Sequence, residues 1–136
     1  MSFETERASL ETRFYNNWVE TPVKWPNVRI DTSGLDEFVA VTLVYDDAKQ
    51  AQIGSIQHMY RYYAFIVTQV FVTPNSGSRR AYELADLAAD IWRAISFDFI
   101  TIQNPTIKEV GVVDGWYQLD LINPYYRNEY KAESAA

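Results

Sequence analysis

"RYYAFIVTQVFVT", Arg61 to Thr73, is apolar on both of its alternating faces, an unusual pattern in a chain that is otherwise polar and acidic. Along a strand successive side chains point to opposite sides. Tyr60, Tyr62, Ala64, Ile66, Val70 and Val72 therefore share one face, and Met59, Arg61, Tyr63, Phe65, Val67 and Phe71 share the other. Both sets call for burial. From about Met59 to Thr73 the strand would run roughly 50 Å at 3.3 Å per residue, longer than most. Either it is bulged, or its first half projects from the domain as a hairpin arm.

Working outward, "FVAVTLVY", Phe38 to Tyr45, is β-branched and nearly continuous and reads as a central strand. Between the two strands lies "DDAKQAQIGSIQH", Asp46 to His58, polar and without a period, which reads as a long hairpin loop. "PNSGS" breaks the pattern after Thr73, and Ser76 or Ser78 can cap a helix from about Arg79 to Ile95. Its apolar positions are Ala81, Leu84, Leu87 or Ala88, Ile91, Trp92 and Ile95, an amphipathic stripe. A first helix follows an N-cap at Ser2, with Glu4 and Glu6 at the positive end of its dipole and Phe3, Leu10, Phe14 and Trp18 on one stripe.

Pro22 and Pro26 bracket a short extended piece, "VKW", before the turn signal "DTSGLDE". "FITIQ", "TIKEVGVV" and "WYQLDLINPYY" read as extended segments, with Asp114-Gly115 as a tight hairpin turn and Pro124 as the end of the last strand or the mark of an edge. The tail after Glu129 reads as frayed or available to a neighbour. The expected fold is α+β: one domain over 1–136, a mostly antiparallel sheet of about four to five strands with two helices packed on one face, and a flexible C-terminal tail over 129–136. Two helices cover only one face of a sheet. The other is buried by a partner, or by loops and aromatic segments folding over it.

Composition narrows the function. At 136 residues the chain fits one domain, and at 48% hydrophobic and 15% aromatic it has enough apolar surface to fold. A net charge of −6 disfavours a phosphate-gripping surface, although an acidic wall lets DNA slide past. The absence of cysteine excludes disulfides, thiolate nucleophiles and Cys-ligated zinc. The N-terminus carries no apolar h-region, and no apolar run reaches the ~20 residues of a membrane helix. His58 is the sole histidine and has no Ser or Asp partner motif. Asp86 and Asp90 share a helix face as a paired-carboxylate site might, or form a solvated face relieved by Arg93. No catalytic residue, metal ligand or cofactor site is expected, and the chain reads as no enzyme. Arg79 and Arg80 open a helix whose positive end disfavours them, so either an acid waits there or Glu83 answers along the helix. Tyr60, Arg61, Tyr62 and Tyr63 combine aromatic bodies with Arg as interface cores do, and with Arg79 and Arg80 they form the candidate subunit or tube interface.

The order of a leading amphipathic helix, "VKWPNV", "FVAVTLVYDDAKQAQIGS", "YRYYAFIVTQVFV", "GSRRAYELADLAADIWR" and "VGVVDGWYQLDLINPYYRNE" resembles the phage tail terminator-like proteins, similar to minor tail protein U of long-tailed, non-contractile bacteriophages. The resemblance spans about Phe3 to Glu129; its most specific phrases are W-x-N-V at Trp25–Val28 and G-W-Y-Q at Gly115–Gln118. It implies a structural virion protein of the phage tail or neck, made in the bacterial cytoplasm, that forms a homo-oligomeric ring of six. The ring caps the tail tube protein, stops its polymerisation, meets a head-completion or connector protein and lets DNA pass without specific binding or membrane contact. The family carries no catalytic residues. The implied ring gives a candidate lumen or loop element with Asp46, Asp47 and Lys49 in it. A head-to-tail connector or head completion protein of the same neck, or a small α+β enzyme or ligand-binding domain, are the other readings.

Overall fold

The computed structural model describes residues 2–50, 57–93 and 96–132, without the side chains of 47–50, 57–59 and 130–132. Helix α1 (Phe3–Asn17) is followed by β1 (Val23–Lys24), β2 (Glu37–Gln50), β3 (Gln57–Val72), α2 (Arg79–Trp92), β4 (Ser96–Phe97), β5 (Ile100–Ile102), β6 (Thr106–Val113) and β7 (Trp116–Ala132). The class is α+β, as expected. Among the described residues the sheet has seven strands rather than four or five, in the order β1-β2-β3-β7-β5-β4 with β6 also on β7, and only β1 and β2 pair in parallel. The two strands beyond five are two-residue pieces: β1, inside the stretch read as extended between Pro22 and Pro26, and β4, which is too short to leave a periodic signal.

Local chemistry sets the elements. At the start of α1 the Thr5 backbone amide donates to Ser2 Oγ (3.1 Å) and the Ser2 amide to Thr5 Oγ1 (2.8 Å), a reciprocal capping box. Ser78 is the N-cap of α2 without a side-chain bond, and Ala88, not Leu87, completes the buried stripe. Ile95 lies outside the described residues. Alanines 81, 85 and 88 let α2 lie close to the sheet, where Trp92 Nε1 donates to Thr68 Oγ1 at 3.0 Å and so satisfies two buried polar groups. Asp114 and Gly115 both have positive φ (52° and 80°) and close the β6–β7 hairpin as the Asp-Gly signal predicts.

Three expectations need correction. The stretch from Asp46 to His58 is not loop throughout: β2 continues to Gln50 and β3 begins at Gln57, with residues 51–56 outside those described. The β2–β3 register slips between Tyr45 and Ala48, so Asp46 and Asp47 together oppose Tyr63 in a bulge. Pro124 neither ends β7 nor marks an outer edge. In an antiparallel strand one residue's N and O point to the same side, and Pro124 O accepts from Gln103 N (2.8 Å), so the missing N–H faces the break between β5 and β6, where no ladder asks for a donor. Consequently β7 runs on, and residues 129–132, read from sequence as tail, pair with 57–60.

The core lies between helices and sheet. Leu10 and Phe14 of α1, Leu84 and Trp92 of α2, and Ile66, Val70, Leu119 and Leu121 of the sheet belong to one buried cluster, in which the Phe14 ring stacks on Trp18 and Trp92.

Candidate assembly surface

Burial along β3 alternates residue by residue: Ala64, Ile66, Thr68, Val70 and Val72 are buried, while Tyr63, Phe65, Val67, Gln69 and Phe71 are half-buried. All the strand residues in the core cluster belong to the first parity, the side on which both helices sit. The second face is continued by Thr42 and Val44 on β2 and by Ile122, Pro124 and Tyr126 on β7, the cross-strand partners of Val67, Phe65 and Tyr63. At one corner Phe38 stacks on Phe71 (4.6 Å) and meets the edge of Trp116 (5.0 Å). At the other, Arg61 places its guanidinium 4.3 Å over the Tyr126 ring and donates to Asn128 Oδ1 at 2.9 Å, while Tyr126 lies 6.2 Å from Tyr63. Between these corners is an apolar strip that includes Val44, 48% exposed, and no helix packs on it.

The expected interface residues are therefore separated by the sheet. Arg61 and Tyr63 lie on the uncovered face. Tyr60 and Tyr62 have the opposite parity, and Tyr62 is engaged there: its ring meets Phe3 (5.2 Å) and lies 4.2 Å under the Arg127 guanidinium. Arg79 pairs with Glu83 at 2.9 Å. Arg80 finds the acid that the sequence hinted at within its own chain, a fork onto both carboxylate oxygens of Glu37 (2.8 and 2.9 Å). Asp46 is exposed at the bulge, and Asp47 follows it. The side chains of Asp47, Lys49 and His58 lie outside the described ones. Asp86 and Asp90 are exposed on the outer side of α2, Asp90 3.1 Å from Arg93, which favours the solvated face. Among the described residues no three His, Asp or Glu side chains converge as metal ligands, and no helix is long and apolar enough to cross a membrane.

One buried constellation was missed in the sequence. Glu6, read there as an acid suited to a helix dipole, is fully buried and accepts from both the Arg127 guanidinium and the Tyr125 hydroxyl of β7. Arg127 Nη1 also donates to Glu129 at 3.1 Å, and its guanidinium lies over the neighbouring rings of Phe3 (4.8 Å) and Tyr62 (4.2 Å). Burial first, and then Glu6, push the Tyr125 hydroxyl far above the usual phenol range. The spacing Glu6, Leu10, Phe14 is one stripe at four-residue intervals, the signal that could have placed Glu6 inside. The cluster fixes the first turn of α1 to the sheet.

No protein-family model and no curated protein matches the chain. A solved structure whose name carries no functional description matches 98% of this chain and 99% of its own, with a TM-score of 0.69 at 14% identity. That likeness shows the fold alone.

Proposed function

We propose that this chain is a tail terminator-like structural subunit of a long-tailed bacteriophage, which assembles into a ring at the end of the tail tube, stops tube growth and offers a surface for head joining. The observation that carries the reading is the apolar sheet face left without a layer in an acidic chain of net charge −6. A half-buried apolar face with no helix layer on it favours an assembled state, and repetition of one chain around an axis is the most economical assembly. The acidic balance suits a wall along which DNA moves without adhering. The sequence resemblance supplies the tail, and the α+β fold is compatible with it. Incubating the purified chain with assembled tail tubes, and separately with head-side connector complexes, tests the reading by co-sedimentation. Binding to tube ends is expected; binding to connectors alone moves the chain to the head side of the neck, and binding to neither rejects both roles.

A further inference from the structure

The sheet has two open edges besides its open face. On one side β1 pairs only with Val39 and Ala40, so that among the described residues β2 has no ladder on its outer edge from Val41 onward. On the other side all of β6 is exposed or half-buried and pairs with β7 alone; among the described residues no other backbone hydrogen bond is made by Thr106–Val113. Natural proteins rarely leave long apolar edges unpaired, since such an edge is a template for another strand. Because β2, β3, β7 and β6 are antiparallel in succession, β6 runs opposite to β2. A second copy placed around a ring by rotation alone keeps its strand directions, and so brings its β6 antiparallel to this β2.

We infer that the ring is closed by β6 of one copy adding as a strand to the free β2 edge, Thr42–Asp46, of the next. This rests on the ring reading above. One register satisfies faces and charges together. Thr42 lies opposite Val113 of the next copy, Leu43 opposite Val112, Val44 opposite Gly111 and Asp46 opposite Lys108, with the β6 bulge between Glu109 and Gly111 keeping like faces together. Val112, 62% exposed, then enters an open hollow of about 360 Å³ bounded by Phe3, Pro26, Leu43 and Tyr45. Asp46 and Lys108 are both exposed, and neither has an ion-pair partner among the described residues. The seam gives each the other, and places Asp46 between subunits rather than in the channel. The short strands β1 and β4 lie beyond the two ends of the paired stretch.

The displacement is also right for closure. Within one chain Gly111 is level, through Gln118 and Phe71, with Phe38. Across the seam it is level with Val44, further along β2 by 44 − 38 residues, or about 20 Å, while the four strands β2, β3, β7 and β6 span about 19 Å. The strands then tilt by about 45° to the ring axis, at the upper end of the range for closed sheets.

The chain has no cysteine, so engineered pairs report cleanly. Thr42→Cys with Val113→Cys in one chain should give a ladder of disulfide-linked multimers on oxidation, whereas mixing the two single variants should give heterodimers and nothing larger. Asp46→Lys and Lys108→Asp should each weaken self-association by about tenfold or more, and together should restore it to within about threefold. Light scattering on the same samples up to millimolar concentration separates the failures. Self-association without cross-links, cross-linked homodimers of a single variant, or no rescue by the double reversal would overturn the β6–β2 seam and leave the ring standing. A chain that stays monomeric throughout, even beside assembled tail tubes, would overturn both.

Discussion

Glu6, Tyr125 and Arg127 place a carboxylate, a phenol and a guanidinium out of water at the junction of α1 and β7. Glu6 accepts from both Tyr125 and Arg127, and Arg127 also pairs with Glu129, so removing the Glu6 carboxylate strips a buried guanidinium of its most buried counter-charge. Glu6→Ala should cost about 3–5 kcal/mol in urea unfolding, whereas Glu6→Leu with Arg127→Met should cost far less, because the desolvation penalty leaves with the pair. An equal loss in both would show that the charges themselves hold the helix. The phenols make a second prediction, in alkali. Tyr125 is raised well above its ordinary range by burial and Glu6, and Tyr117 is pushed up to about 12 by its hydrogen bond to Glu109. In the unfolded chain both ionise near ~10, so above that pH the unfolded state carries fewer protons than the folded one, and stability falls as pH rises. The stabilisation from these hydroxyls should be fully present and independent of pH below 10, and unfolding free energy should decline from 10 to 12, with Tyr125→Phe flattening the decline. Phe99 supplies a third residue-scale test. It sits at φ 65° in the two-residue β4–β5 turn and is 67% exposed. A left-handed conformation strains a non-glycine residue by about 1–2 kcal/mol, so Phe99→Asn should raise stability by up to about 1 kcal/mol. Of these features the sequence shows little: Glu6 and Arg127 are 121 residues apart, and no local pattern joins them.

At the scale of elements, the long strand was legible because its two parities carry different loads. Ile66 and Val70 face the helices, Phe65 and Val67 face away, and the doubly apolar run recorded both. The bulge and the length of β7 were not legible. Asp46-Asp47 looks like the start of a loop because acids seldom occupy strands, and Pro124 looks like a stop because its lost donor matters wherever a ladder needs it; here it falls in the gap between β5 and β6. The parity of Tyr62 and Tyr63 separates folding from assembly. Tyr62→Glu should destabilise the monomer, since that ring packs on Phe3 and under Arg127. Tyr63→Glu, on the face without helices, should cost less in urea unfolding than Tyr62→Glu while weakening self-association. The reverse outcome would exchange the two faces.

For the whole molecule, the seven strands and two helices of the described residues leave one face of the sheet without a helix layer and two of its edges without a further strand, surfaces suited to a partner. The charge of the chain and the order of its elements suggested a ring on a DNA conduit; which surfaces would build it became visible only once strand order was known, since neither β6's place beside β7 nor the two-residue reach of β1 is written in any local period. A chain that caps a tail tube, as we propose for this one, ends the tube's growth. Polymerising tail tube protein with and without the chain, and measuring tube lengths by electron microscopy of negatively stained samples, tests it directly. Arrested growth with a closed ring at one tube end is expected; tubes that lengthen unchanged, with no ring bound, would rule out capping.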